Sequence, residues 1–191
     1  MTKDREAQII AETRQWVKNI VIRHNLCPFA HKPDRNDVIR YSLSQATTED
    51  ELIEDLIDEL LMLRDADTSK IETTILITPN CFRDFAHYNQ FLDVVDMLIG
   101  QFGLEGTIQV ASFHPDYQFA ELEFDDARNY TNRSLYPMFH LILEESIERA
   151  RNTHPDVDSI PDTNMALLEQ IGLEEIKRQQ QACRKEEAED E

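Results

Sequence analysis

Glycine is scarce. The chain has 4 glycines in 191 residues, at positions 100, 103, 106 and 172, where average usage would give about 13. No glycine-rich phosphate loop can be assembled from those positions, which excludes Rossmann dinucleotide binding and P-loop NTPase activity. Cysteine is thin as well. Cys27, Cys81 and Cys183 are odd in number and widely spaced, which reads as reduced thiols in a cytoplasmic protein and not as a disulfide framework. No apolar run approaches the roughly 20 residues of a membrane span. The stretch MTKDREAQII has neither an apolar core nor a small-residue cleavage site, so no secretory signal is expected. Positive charge is short too: 19 Lys and Arg stand against 38 Asp and Glu, a formal net charge of −19. Such a surface repels phosphate backbones and anionic membranes at long range, so neither nucleic acid nor membrane is an expected partner. A local basic pocket remains compatible with it.

What is present is globular: 41% hydrophobic and 30% charged residues can build a core within one domain. The spacing of Ile10, Val17, Ile20, Val21 and His24 predicts a helix over 4–24. NLCPFAHKPDRND then reads as a loop, and VIRYSL, 38–43, as a short strand. Thr48 and Glu51 form a capping-box pair opening a helix over 48–65. Leu52, Ile53, Leu56, Ile57, Leu60 and Leu61 make its apolar face, and its acidic face is assigned to water. TTILITP, 73–79, is a buried strand. Asp84 caps a helix that ends near Gly100 or Gly103, and TIQVASF, 107–113, is a third strand. These last elements form a βαβ unit whose strands should be parallel. Residues 136–151 fit one helix. SIPDTNMALLEQIG fits another, capped by Ser159 and stopped by Gly172. The expected architecture is α/β: a small, mostly parallel sheet of about three strands, flanking helices and a helical C-terminal third. One domain spans 1–184, and 185–191 is an acidic mobile tail.

In open α/β sheets ligands gather beyond the carboxyl ends of the strands. HPDYQ follows the 107–113 strand there. His114 is a candidate base and Asp116 its orienting partner, with Tyr117 beside them; the alternative is a hydrogen-bonded turn. Asn129, Asn132, Arg133 and Ser134 stand just before the helix expected from 136. Its unpaired amides and the arginine fork suit an anion. Alternatively, Ser134 merely caps the helix and Arg133 pairs with a carboxylate. His140, in line with Leu143 and Ile147, would face the interior one turn further on. Cys27 precedes Pro28, which fits the first position of a helical turn. A thiol at that N-cap is a candidate nucleophile or metal ligand, or a small buried hydrophobe. A short loop would leave Cys27 at the edge of the sheet opposite His114.

NLCPFA, TILITP, QVASFHPDYQF and NYTNRSLYPMFH resemble the motifs of the bacterial and plant family labelled domain of unknown function 1415, over roughly residues 8–175. The family pattern has proline after the NRS triplet, where this chain has Leu135. The resemblance implies no reaction, cofactor or catalytic residue.

Three functions remain open. The first is a hydrolase or transferase for a small anionic metabolite, with Asn129, Asn132, Arg133, Ser134 and Tyr117 as binding residues. His114, Asp116 and His140 would do acid–base work, and Cys27 would act if catalysis is covalent. The second is a divalent-metal-dependent hydrolase using His114, Asp116 and His140. The third is a non-catalytic anion-binding or interaction module, with the acidic helix 48–65 and a last helix, read from LEEIKRQQQ at Leu173 onward, as partner surfaces. The sequence indicates no particular cofactor and no oligomeric state.

Overall fold

The computed structural model describes residues 1–152 and 157–184. The acidic tail expected at 185–191 lies outside the described residues. Four strands carry the fold: β1 (Ile39–Leu43), β2 (Thr73–Ile77), β3 (Ile108–Phe113) and β4 (Met138–Leu143). They lie in the order β1-β2-β4-β3. β1 pairs with β2 in parallel, whereas β4 is antiparallel to both β2 and β3. The sheet is therefore mixed and four-stranded, not mostly parallel with three strands. β2 and β3 do point the same way, but β4 is inserted between them.

β4 is the element that periodicity misreads. MFHLIL is a continuous apolar run, and such runs fit a buried strand as well as a helical face. The expected 136–151 helix divides at Leu143 into β4 and the helix α5 (Glu144–Arg151). The other helices are α1 (Lys3–Trp16), α2 (His31–Arg35), α3 (Glu49–Arg64), α4 (Phe85–Gln101), α6 (Ile160–Ile171) and α7 (Leu173–Gln181). Of these, the short α2 forms inside the stretch read as a loop, and Ser159 opens α6 without a side-chain capping bond; the rest follow their local signals. Thr48 Oγ1 accepts from the Glu51 amide and Asp84 from the His87 amide, so both caps form, but the Glu51 carboxylate returns to the Thr47 amide and not to that of Thr48, which leaves the expected capping box half made. Gly172, at φ 82°, ends α6 in a conformation that a side chain would strain. α1 runs on into a π-turn, Val17–Ile22.

Alternation along the strands gives the sheet two apolar faces. On one, Leu76, Phe139, Leu141 and Ile108 meet Leu52, Leu56 and Leu60 of α3 and Phe91, Val95 and Leu98 of α4. Each fully buried leucine there contributes about 1.5–3 kcal/mol. On the other, Ile39, Ile75, Ile77 and Met138 meet Ile9, Trp16, Val17 and Ile20, together with Leu168 and Ile176 of α6 and α7. No described helix is long and apolar enough to cross a membrane.

The sheet is wedged open at the carboxyl end of β3. Tyr88, fully buried on α4, accepts from the Phe113 amide at 3.0 Å and donates to the Met138 carbonyl at 2.8 Å. Its hydroxyl stands in for the direct bond that Phe113 and Met138, paired in the register, would otherwise make. From this splayed end the chain runs into the HPDYQF segment.

Candidate functional site

The two polar motifs come together. The His114 amide donates to the Asn132 carbonyl at 3.2 Å, and the Ser134 amide to the His114 carbonyl at 3.3 Å. The Asn132 side chain donates to the Ser112 carbonyl. His114 is 1% exposed. Its Nδ1 accepts from the Asp116 amide at 3.0 Å, which leaves the proton on Nε2 to donate to the Phe82 carbonyl at 2.8 Å. Burial outweighs that carbonyl and the carboxylates of Asp116 and Asp84, and holds the imidazole pKa below its ordinary value. A neutral histidine with both ring nitrogens engaged is a brace. What it braces is unusual: Phe82 sits at φ 56°, in a left-handed region that large side chains rarely adopt. The Phe82 ring packs on Phe91, Tyr88 and Phe139.

Arg133 is 4% exposed. Its Nε donates to the Tyr117 carbonyl at 3.0 Å and its Nη2 to the Phe124 carbonyl at 2.8 Å. The guanidinium lies 4.5 Å from the Phe124 ring centre and 5.1 Å from that of Tyr130. Asn129 is fully buried, donates to the carbonyls of Glu123 and Phe124, and accepts from the Phe119 amide. Ser134 caps no helix, because β4 follows it; its hydroxyl donates to the Tyr136 carbonyl. The Tyr117 ring packs at a tilt against Phe85 and edge-on against Phe119. Asp116 is exposed. Residues 112–134 thus close on themselves as a clasp, its polar side chains spent mostly on backbone groups.

His140 takes no part in the clasp. It lies on β4, between Ile75 and Ala111 in the register, and not on a helix. Thr73 Oγ1 donates to the Leu141 carbonyl at 2.6 Å, so its 2.8 Å contact with His140 Nε2 is a bond accepted from the ring. Burial pushes the His140 pKa down to about 4. Phe113 lies beside it, and beyond Phe113 stands Trp16, whose buried indole N–H has no partner among the described residues.

Cys27 does cap a short turn, Pro28–Ala30, as its proline indicates. Burial nevertheless raises the thiol pKa and outweighs the favourable amides of Phe29 and Ala30. Cys81 and Cys183 are raised as well, again chiefly by burial.

A feature assigned to open solvent turns out to be concave. Where β1 ends beside α3, a cleft of about 460 Å³ is lined by Ser42, Ser44, Glu51, Glu54, Asp55, Asp58 and Glu59 among others. Ser44 donates to Asp55. Arg40 forks onto Glu59 at 2.8 and 2.9 Å, and Ser42 adds a third bond. Burial acts to raise the Glu59 pKa, but the bonds from Arg40 and Ser42 prevail and hold it below the ordinary value. Glu54 and Asp58 are exposed.

A model of the family described as "Protein of unknown function (DUF1415)" matches residues 8–178. The chain belongs to this family. No curated protein and no solved structure matches it. In this DUF1415 protein the family-like motifs largely coincide with the clasp and its neighbours in the core. Among the described residues, no group of three or more His, Cys, Asp or Glu side chains is arranged to hold a metal ion. His114, Asp116 and His140 in particular do not form a ligand set. The cleft had a sequence signal: Asp55 and Glu59 are one helical turn apart, facing the alternating Ser42 and Ser44.

Proposed function

We propose that this protein is a non-catalytic interaction module whose acidic cleft receives a cationic segment, rich in Lys or Arg, of a partner. The observation that carries this reading is the cleft itself. Its carboxylates are spread along α3, which suits several guanidinium or ammonium groups better than one metal ion. The Arg40–Glu59 fork is an internal example of the contact a partner arginine would make. The net charge of −19 would steer such a partner inward. Three unpaired thiols suit a reducing compartment such as the cytoplasm.

Anisotropy of a labelled Arg/Lys peptide tests the proposal. Glu54→Lys/Asp58→Lys should weaken binding about tenfold or more, a loss of ~1.4 kcal/mol. Glu121→Lys/Glu174→Lys, the same change in net charge elsewhere, should weaken it far less. Equal losses would reduce the interaction to non-specific attraction and defeat the proposal.

A second reading keeps an enzyme, a hydrolase or transferase for a small anionic metabolite, and centres it on His140. Its support is a neutral imidazole fixed through Thr73, with Phe113 between it and the unpartnered Trp16 N–H. Arg133 is a poor anion holder for it, because the guanidinium would have to leave two carbonyls. A thermal-shift panel of phosphates and carboxylates, on wild type and His140→Gln, separates the readings.

A further inference from the structure

The outer edge of β3 carries a self-complementary pattern. The Glu144 amide bonds the Thr107 carbonyl, so Thr107, Gln109 and Ala111 direct their backbone groups toward β4, and Ile108, Val110 and Ser112 direct theirs outward. Two outward groups are already satisfied within the chain. The Ile108 amide donates to the Leu104 carbonyl, and the Ser112 carbonyl accepts from the Asn132 side chain. The Ile108 carbonyl, the Val110 amide and carbonyl, and the Ser112 amide have no partner among the described residues.

We infer that β3 pairs antiparallel with β3 of a second copy of this chain, about a two-fold axis at Val110. In that register Val110 faces Val110 and Ile108 faces Ser112. The free groups are then complementary. Val110 exchanges both its bonds with its counterpart, and each Ser112 amide meets an Ile108 carbonyl. The Ile108 amide and the Ser112 carbonyl, which would face each other in this register, are both satisfied internally, so each flanking pair makes one bond where an open edge would make two.

Charge placement favours a second copy as the occupant. TIQVASF, 107–113, has no charged residue in a chain that is 30% charged, and edge strands without charge or proline are open to pairing. The acidic cleft lies by β1, at the far edge of the sheet. Three strand spacings, about 14 Å, separate it from β3, more than the ~8 Å Debye length at physiological salt. Glu105 and Asp116 fall beyond the paired segment. Gln109 is exposed and Ala111 half-buried on one face, so that face is open to a neighbour.

Light scattering across a concentration series, with two sets of variants, tests this. Wild type should dimerise with rising concentration. Val110→Pro removes an outward amide that the β3–β4 ladder does not use, so it should remain folded by circular dichroism and monomeric. Gln109→Cys mixed with Ala111→Cys should crosslink across the interface on oxidation, because these positions face each other in a close, non-hydrogen-bonded pair. The crosslink keeps the inference testable if Val110→Pro fails to fold. A wild type that stays monomeric at the highest concentration overturns it. So does a dimer that survives Val110→Pro, or a mixture that fails to crosslink. A monomer that binds only an added TIQVASF peptide would assign the edge to a foreign strand, and the second copy would be wrong.

Discussion

Arg133→Ala separates a structural arginine from an anion-binding one. The guanidinium is 4% exposed and gives charged hydrogen bonds to the carbonyls of Tyr117 and Phe124, with Phe124 and Tyr130 across its faces. Charged hydrogen bonds contribute about 1.5–3 kcal/mol each, and the ring contacts about 0.5–2 kcal/mol. Against this stands relief of the cost of burying a charge, several kcal/mol in an apolar site. The balance comes to about 3 kcal/mol of lost stability. For a chain of this size each kcal/mol moves the melting point by about 2–4 °C, so a fall of roughly 6–12 °C is expected. Thermal melts with and without phosphate are the assay. The expected result is a large fall and the same small phosphate response in both proteins. A fall of under about 2 °C together with loss of a phosphate response seen in wild type would refute the structural role.

Tyr88→Phe deletes the hydroxyl between Phe113 and Met138 and leaves two backbone groups unpaired; urea unfolding should show a loss of about 2–4 kcal/mol. A change below about 0.5 kcal/mol would mean that the strands close directly. His140 binds its proton more weakly folded, at about 4, than unfolded, at about 6.5. Its contribution is therefore fully present above pH 6.5 and lost as pH falls toward 4, by about 2–3 kcal/mol. Stability should drop less steeply over that window in His140→Gln, and an NMR pKa near 6.5 for His140 would contradict this. Because burial raises the Cys27 thiol, iodoacetamide at pH 7.5 should label it much more slowly in the native protein than in guanidinium. Labelling as fast as a free thiol would restore it as a nucleophile.

Local signals in the sequence carried far. The Thr48 and Asp84 caps, the Pro28 turn and the Gly172 stop are chemistry within a few residues, and each stands where its sequence indicates. What the sequence hid is long-range. Nothing within MFHLIL distinguishes a helix face from a strand held between two others, so the insertion of β4, and with it the true setting of His140, was not legible. The meeting of HPDYQF with NYTNRS was legible as two polar clusters near one sheet edge. Their use was not. Whether Arg133 points at an anion or at the Phe124 carbonyl depends on how residues 117–124 loop back, and no spacing rule encodes that. The cleft was only half legible for a related reason: the spacing of Asp55 and Glu59 and of Ser42 and Ser44 is local, but an acidic helix face looks solvated until the strand is known to lie beside it.

The most direct measurement is amide chemical-shift mapping on isotope-labelled protein, titrated in parallel with an Arg/Lys peptide and with phosphate. The peptide should perturb residues 42–46 and 51–59, while 112–117 and 129–134 stay unmoved by either ligand. Perturbations centred on His114, Asn132 and Arg133 with phosphate, and none at Ser44, Asp55 or Asp58 with the peptide, would contradict this.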